Sequence, residues 1–427
     1  MPAPATAAAT LAAAERPYLD AAVRTARWID ASGVAKANGR VWPADPAKPD
    51  SVGTTLYTGT PGVVLFFLRL HAATGDAAHL KSATSGADAL LAGLDAEEAN
   101  GLYVGLGGVG FVLQETFKAT TIDKYRDGAR RVTKLLAARA KPTARGVIWD
   151  DSTDIVSGAA GTGLSLLYLA KELNDTAARD LAVRAATHLV DVAKPDAGGL
   201  KWAMNSTLPR LMPNFSHGTA GVAYFLARAY EETGQKAFLD AAIAGATYLQ
   251  AVAKTDGDIC LIFHNEPDGK DLYYLGWCHG PAGTARLFYQ LHRVTKDPVW
   301  MTWVERSARG VLESGVPETQ TAGFWNNVGQ CCGSAGVAEF FLSLHEVTGK
   351  QEYRAYAERL TRHLLTRGTA DDKGLRWPHA EHRVRPAEVV AQTGYMQGAA
   401  GVGAWLLRLD GVEAGKPNRV RLPDTPF

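Results

Sequence analysis

Seven Gly-x-x-Gly pairs, each opening an apolar run of helical period, constrain this chain more than any other feature. They are Gly59/Gly62, Gly105/Gly108, Gly158/Gly161, Gly218/Gly221, Gly280/Gly283, Gly333/Gly336 and Gly398/Gly401. Successive first glycines lie 46, 53, 60, 62, 53 and 65 residues apart, a period of about 56 that covers nearly all 427 residues. Self-similarity at that period dictates a repeat architecture and overrides the two or three domains that length alone suggests. It also accounts for an excess of glycine: 44 residues, about a tenth of the chain, where ~7% is usual. A glycine three residues ahead of another at a helix start lets neighbouring backbones approach. Most of the pairs are therefore packing grammar rather than ligand sites.

Each unit repeats one internal order. An apolar helix follows the pair, as in Val63–Leu70 and Val222–Tyr230. A polar turn comes next (Thr74-Gly75-Asp76, Thr233-Gly234-Gln235, Thr348-Gly349-Lys350), then an amphipathic helix such as Ala237–Leu249 or Tyr353–Leu365. A loop with Gly-x-x-Trp often closes the unit: Gly39/Trp42, Gly146/Trp149, Gly199/Trp202 and Gly374/Trp377. Strand-like alternation is nearly absent, so the chain reads as all-α. Seven inner and seven outer helices, beginning with the outer Tyr18–Ile29 and ending with the inner Val402–Leu409, can close end to start. An open solenoid would need polar caps, and the last helix is as apolar as the others. The reading is an (α/α)7 toroid of seven helix-hairpin repeats over residues 15–410. Residues 1–14 are a flexible leader and 411–427 a C-terminal tail. An (α/α)6 barrel of glycosidase type is the competing architecture, and it would need a six-fold count.

Charge removes several classes of function. Lys and Arg total 45 against 44 Asp and Glu, a net of +1, which supplies no field for nucleic acid or anionic lipid. The longest apolar stretch, Val63–Leu68, is far too short to span a membrane. The leader lacks the basic and apolar regions of a secretory signal. Four cysteines cannot form a disulfide framework and suit a reducing compartment. A cytoplasmic protein is expected.

Because the units share a register, chemistry is sought where a unit departs from the others. Just before the first glycine of each pair stand Thr58, Val104, Ser157, His217, His279, Cys332 and Gln397; one place earlier stand Tyr57, Tyr103, Val156, Ser216, Cys278, Cys331 and Met396. Reactive groups gather in units four to six, at one end of the inner helices. Cys278 and Cys331 hold the same register position in adjacent units, so the fold brings them together. Three thiols with His217 and His279 in the same register have the chemistry of a zinc site with an open fourth position. The alternative is that they are buried structural cysteines, packing as small hydrophobes. Cys260 is out of register and reads as structural. His71, His188, His292, His345 and His363 fall within the helix pattern. Trp277 either lines the site or packs.

These residues, Trp277-Cys278-His279-Gly280 and Cys331-Cys332-Gly333 together with the seven glycine pairs, resemble the lanthionine synthetase C-like family over about residues 15–410. The resemblance implies one zinc per chain held by Cys278, Cys331 and Cys332, the last standing where most members carry His; a Cys-Cys-Gly variant occurs in a subset. His279 is the fallback ligand. The family's His and Asp near the metal fall on His217 and Asp154, with Asp150 and Asp151 as rival carboxylates and a helix-terminal charge as the other role for Asp154. Where many members carry an Arg shortly before Trp-Cys, this chain has Tyr273 and Tyr274.

The chemistry implied is Michael addition. A thiolate adds to the β-carbon of dehydroalanine or dehydrobutyrine, and His217, oriented by Asp154, handles the proton. The implied partner is a dehydrated precursor peptide supplied by a separate dehydratase or kinase-lyase. Two alternatives remain: an enzyme adding glutathione to dehydroamino acids in proteins, or a non-catalytic peptide-binding toroid with structural zinc.

Overall fold

Fourteen α-helices are present among the described residues of the computed structural model, which are 15–208, 210–416 and 420–427. In chain order they are α1 (Pro17–Ala31), α2 (Thr60–Thr74), α3 (Ala77–Ala92), α4 (Leu106–Thr120), α5 (Asp123–Arg139), α6 (Ala159–Leu173) and α7 (Thr176–Asp191). They continue with α8 (Thr219–Thr233), α9 (Lys236–Val252), α10 (Pro281–Thr295), α11 (Val299–Leu312), α12 (Ser334–Thr348), α13 (Gln351–Thr366) and α14 (Ala399–Glu413). The even-numbered helices begin directly after the first glycine of a pair, so the seven-fold count holds and a six-fold one does not. The expected leader, 1–14, lies outside the described residues.

The two helix classes differ as their sequences require. In α2 every residue from Thr60 to Leu70 is buried, the mark of a helix surrounded by protein. In α13 the buried residues Tyr353, Tyr356, Ala357, Leu360, Thr361, Leu364 and Leu365 form a single stripe. The inner helices α2, α6, α8, α10 and α12 end in a left-handed residue that turns the chain into its outer partner. Gly75, Gly234 and Gly349 take this role with φ of 72°, 69° and 71°, and Asn174 and Lys296 accept it without being glycine. His71, His292 and His345 each donate from Nδ1 to a carbonyl across that turn (Asp76, Asp297 and Lys350) at 2.9–3.1 Å. They are structural, as their place in the helix pattern implies.

The chain forms two compact units. One comprises the chain up to Glu97, Val112–Tyr125 and Phe324–Arg421; the other comprises Glu98–Phe111, Arg126–Gly323 and Leu422–Phe427. In the first, α14 packs on both α1 and α2, so the last inner helix finds its partner in the first outer one. Arg16 pairs with Asp410 at the same junction, 394 positions away. In the second unit, α8 packs on both α6 and α10.

The Gly-x-x-Trp segments are not plain loops. They form short antiparallel hairpins after four outer helices: β1 (Val34–Lys36) with β2 (Gly39–Val41), β3 (Lys141–Pro142) with β4 (Val147–Ile148), β5 (Lys194–Asp196) with β6 (Gly199–Lys201), and β7 (Thr369–Asp371) with β8 (Gly374–Arg376). A fifth joins β9 (His379–Ala380) to β10 (Val389–Val390). Strands of two or three residues are too short to show alternation, which is why the sequence reads as loop there. A Cβ on Gly39, Gly146, Gly199 or Gly374 would strike a backbone carbonyl of α3, α7, α9 or α1 respectively. Each hairpin therefore lies against the next outer helix. The tryptophan that follows is buried, and in three of the four it donates from Nε1 to the preceding outer helix: Trp149 to Leu136, Trp202 to Leu189 and Trp377 to Leu364 at 2.7–2.9 Å.

α14 runs on to Glu413, and Pro423, Asp424, Pro426 and Phe427 are buried. No helix among the described residues is long and apolar enough to cross a membrane.

Candidate metal centre and acid–base pair

Within each unit, the loops that precede the inner helices are tied to one another through the register positions found in the sequence. In the first unit, the Met396 amide donates to Tyr57 and the Cys331 amide to Met396, at 2.8 and 2.9 Å. In the second, the Ser216 amide donates to Cys278, Ile155 to Ser216 and Tyr103 to Val156, at 2.9, 3.2 and 3.0 Å. The second glycine of each pair makes this possible. A Cβ on Gly283 would collide with the carbonyl of Trp277, and one on Gly336 with that of Gln330. The cysteine-bearing loops are thus pressed onto the first turns of α10 and α12.

The structure brings Cys278, Cys331 and Cys332 together. Their Sγ atoms all lie within 4.8 Å of one another, and those of Cys331 and Cys332 are 3.4 Å apart. All three are buried, at 4%, 3% and 8% exposure, and no disulfide forms. Among the described residues this is the group of side chains suited to a metal ion; His279 is not in it. The Gln397 amide donates towards Cys332 Sγ at 3.9 Å and is fixed by Asn327 and Tyr57 at 3.0 and 3.1 Å. Gln397 holds in the seventh unit the register place of Cys332, a signal the sequence carried. Cys260 lies elsewhere, and burial pushes its thiol up to about 12.

Asp154 is fully buried and divides its two oxygens. Oδ1 accepts from the amides of Ser157 and Gly158, both at 2.7 Å, and from the Ser157 hydroxyl at 3.1 Å. This closes the turn into α6. Oδ2 faces His217 Nδ1 at 2.5 Å. Nδ1 therefore carries the hydrogen, and the imidazole is held in one orientation. The rival carboxylates bond elsewhere: Asp151 to Ser206 and Asp150 to the Ser152 amide.

The His217 ring lies 5.7 Å from that of His279, which packs against His264 and Tyr274 at 4.4 and 5.7 Å. Burial, then His264 and His217, hold the His279 imidazole well below the usual histidine range, so it is neutral at physiological pH. Its Nδ1 has no hydrogen-bond partner among the described residues. His264 sits outside the repeat register, between α9 and α10, so no periodic signal marked it. Trp277 is buried and packs between Tyr103 and Phe215, with centroids at 4.9 and 5.8 Å.

The sequence profile described as lanthionine synthetase C-like protein matches residues 50–415. The chain belongs to that family. Among solved structures, this lanthionine synthetase C-like chain is similar to nisin cyclase at 16% identity. The match covers 94% of this chain and 95% of that one, with a TM-score of 0.66. It is also similar to the Lin0763 protein from Listeria innocua (14% identity, 94% and 99% coverage, TM-score 0.54). A third likeness is to an alpha-1,6-mannanase of Salegentibacter sp. HEL1_6 (12% identity, 92% and 99% coverage, TM-score 0.52). At these identities the likenesses establish the fold. It is all-α, the (α/α)7 toroid that the repeat count predicts.

Proposed function

We propose that the protein is a zinc-dependent cyclase that adds peptide cysteine thiols to dehydroalanine or dehydrobutyrine. The products are lanthionine and methyllanthionine rings in a dehydrated precursor peptide, which a separate dehydratase or kinase-lyase would supply. The gathering of three buried thiols from two repeats carries this reading, and the Asp154–His217 pair and the family support it. The donor set suits zinc: a tetrahedral ion with bonds of about 2.3 Å places its sulfurs about 3.8 Å apart. The three Sγ atoms lie within 4.8 Å of one another, the nearest two at 3.4 Å.

Zinc held by Cys278, Cys331 and Cys332 would supply an open coordination position and the charge that favours a thiolate over a thiol. The chain's own part is to position the pair and to move one proton. Asp154 holds Nδ1–H of His217, which assigns proton exchange to Nε2. As sulfur bonds to the β-carbon, the double-bond electron pair shifts towards the neighbouring carbonyl as an enolate, and the α-carbon then takes a proton. His217 can accept the thiol's proton and return it at the α-carbon, so the addition balances with no leaving group and no oxidant. The Gln397 amide, aimed at Cys332 Sγ, favours the ionised form of that sulfur.

Wild-type protein should carry stoichiometric zinc, lost in Cys278→Ala, Cys331→Ala and Cys332→Ala and kept in Cys260→Ala. With a dehydrated, cysteine-containing peptide, wild type should consume free thiols, read by alkylation and mass spectrometry. His217→Ala should retain zinc and slow the reaction about 10²–10⁴-fold. Wild type purified without chelators and free of metal would refute the reading. Glutathione addition without peptide cyclisation would move it to a thiol-adding relative, and zinc without any addition to a peptide-binding toroid.

A further inference from the structure

The segment Leu422–Phe427 ends in the core of the second unit, against side chains that lead to the metal centre. Asp424 is fully buried. Its Oδ2 accepts from the Tyr103 hydroxyl at 3.0 Å, from Trp277 Nε1 at 3.0 Å and from the Arg286 guanidinium at 2.8 Å. Arg286 also donates to the Asp424 carbonyl at 3.0 Å, Arg228 donates to that of Pro423 at 3.3 Å, and Phe427 stacks on Tyr289 with centroids 4.5 Å apart. The segment is anchored at three successive places.

Trp277 is the residue immediately before Cys278. Its carbonyl is pressed on Gly283 of α10, its ring is held between Tyr103 and Phe215, and its one polar atom bonds Asp424. Those constraints fix both ends of the residue, and with it the position from which Cys278 projects. Metal ligands need outer partners that set their direction, and losing such a partner typically costs 10–100-fold in affinity. We propose that Asp424 is a positioning residue for the metal centre, acting through the Trp277 indole to hold Cys278 in place for Cys331 and Cys332. This rests on the reading of those three cysteines as a metal site. It assigns residues far along the chain from the glycine repeats to that site.

Replacing Asp424 alone would take its ion pair from the half-buried Arg286 and could unfold the protein. The test therefore uses Asp424→Leu combined with Arg286→Met, which removes both charges at similar volume, and separately Trp277→Phe, which keeps a ring and deletes the N–H. Zinc affinity is measured by competition with a chromophoric chelator, alongside melting of the metal-free proteins. Each variant should melt close to wild type and bind zinc about 10–100-fold more weakly. Combining all three changes should bring little further loss, because both routes break one contact. Zinc affinity within about threefold of wild type in either folded variant, or losses that add independently, would overturn the proposal. Should wild type bind no zinc, the metal reading itself falls; zinc bound equally by wild type and variants removes the positioning role alone.

Discussion

Asp154→Asn tests the acid–base pair most sharply, because the two oxygens of that carboxylate do separable jobs. In the variant, one amide oxygen can still accept from Ser157 and Gly158, so the turn into α6 survives. Charge-assisted hydrogen bonds contribute about 1.5–3 kcal/mol against about 0.5–1.5 for neutral ones. Three weakened bonds, partly offset by no longer burying a charge, amount to roughly 1–3 kcal/mol. For a chain of 427 residues the unfolding entropy is roughly 0.9 kcal/mol/K, so Tm should move by only a few degrees. The other side of the variant is not conservative. An amide NH₂ replaces Oδ2, which faces His217 Nδ1 at 2.5 Å. Nδ1 must then become the acceptor, and the ring hydrogen moves to Nε2, the atom assigned to take up the substrate's proton. The rate should fall about 10²–10⁴-fold with zinc still bound. Metal content, a melting curve and the initial rate of thiol consumption on one preparation decide it. A zinc-loaded, stable variant cyclising within about threefold of wild type would refute the pairing argument.

Two further outcomes follow from buried groups away from the pair. Burial pushes His379 down to about 4, while the unfolded chain titrates near 6.5. The folded value is the depressed one, so stability is lost as pH falls from about 6.5 to about 4, by about 2 kcal/mol at pH 5. Urea midpoints of wild type and His379→Asn at pH 7 and pH 5 should show the slope in the first and its reduction in the second; parallel curves would contradict it. Among the hairpin tryptophans, Trp202→Phe orphans the Leu189 carbonyl, whereas Trp42 Nε1 has no acceptor among the described residues. Trp202→Phe should therefore cost roughly 1–3 kcal/mol more than Trp42→Phe in urea denaturation, and equal costs would count against the assigned role of the indole bond.

Much of this was legible because the repeat states a backbone requirement. A Cβ at Gly161, Gly221, Gly283, Gly336 or Gly401 would run into a carbonyl of the loop just before its helix, so glycine recurs wherever an inner helix starts. Once that register is seen, Cys278, Cys331, His217 and Gln397 can be aligned without coordinates, and Asp154 lies four residues before Gly158. What escaped lies off the register. His264 sits in an irregular stretch between repeats. Asp424 reaches Trp277 across 147 positions, a separation that no local pattern encodes. The hairpins escaped for another reason: their strands are shorter than the period that would betray them.

The pairing of α1 with α14 has a consequence for the order of events during synthesis. At about 5–20 residues per second, the 394 positions between Arg16 and Asp410 take roughly 20–80 s to emerge. Throughout that time the first helix carries an apolar face whose natural cover does not yet exist. The repeats between can settle on one another as they appear, since each needs only its neighbours. α1 thus emerges well before α14, the helix it packs on, and is among the last helices to have its apolar face covered.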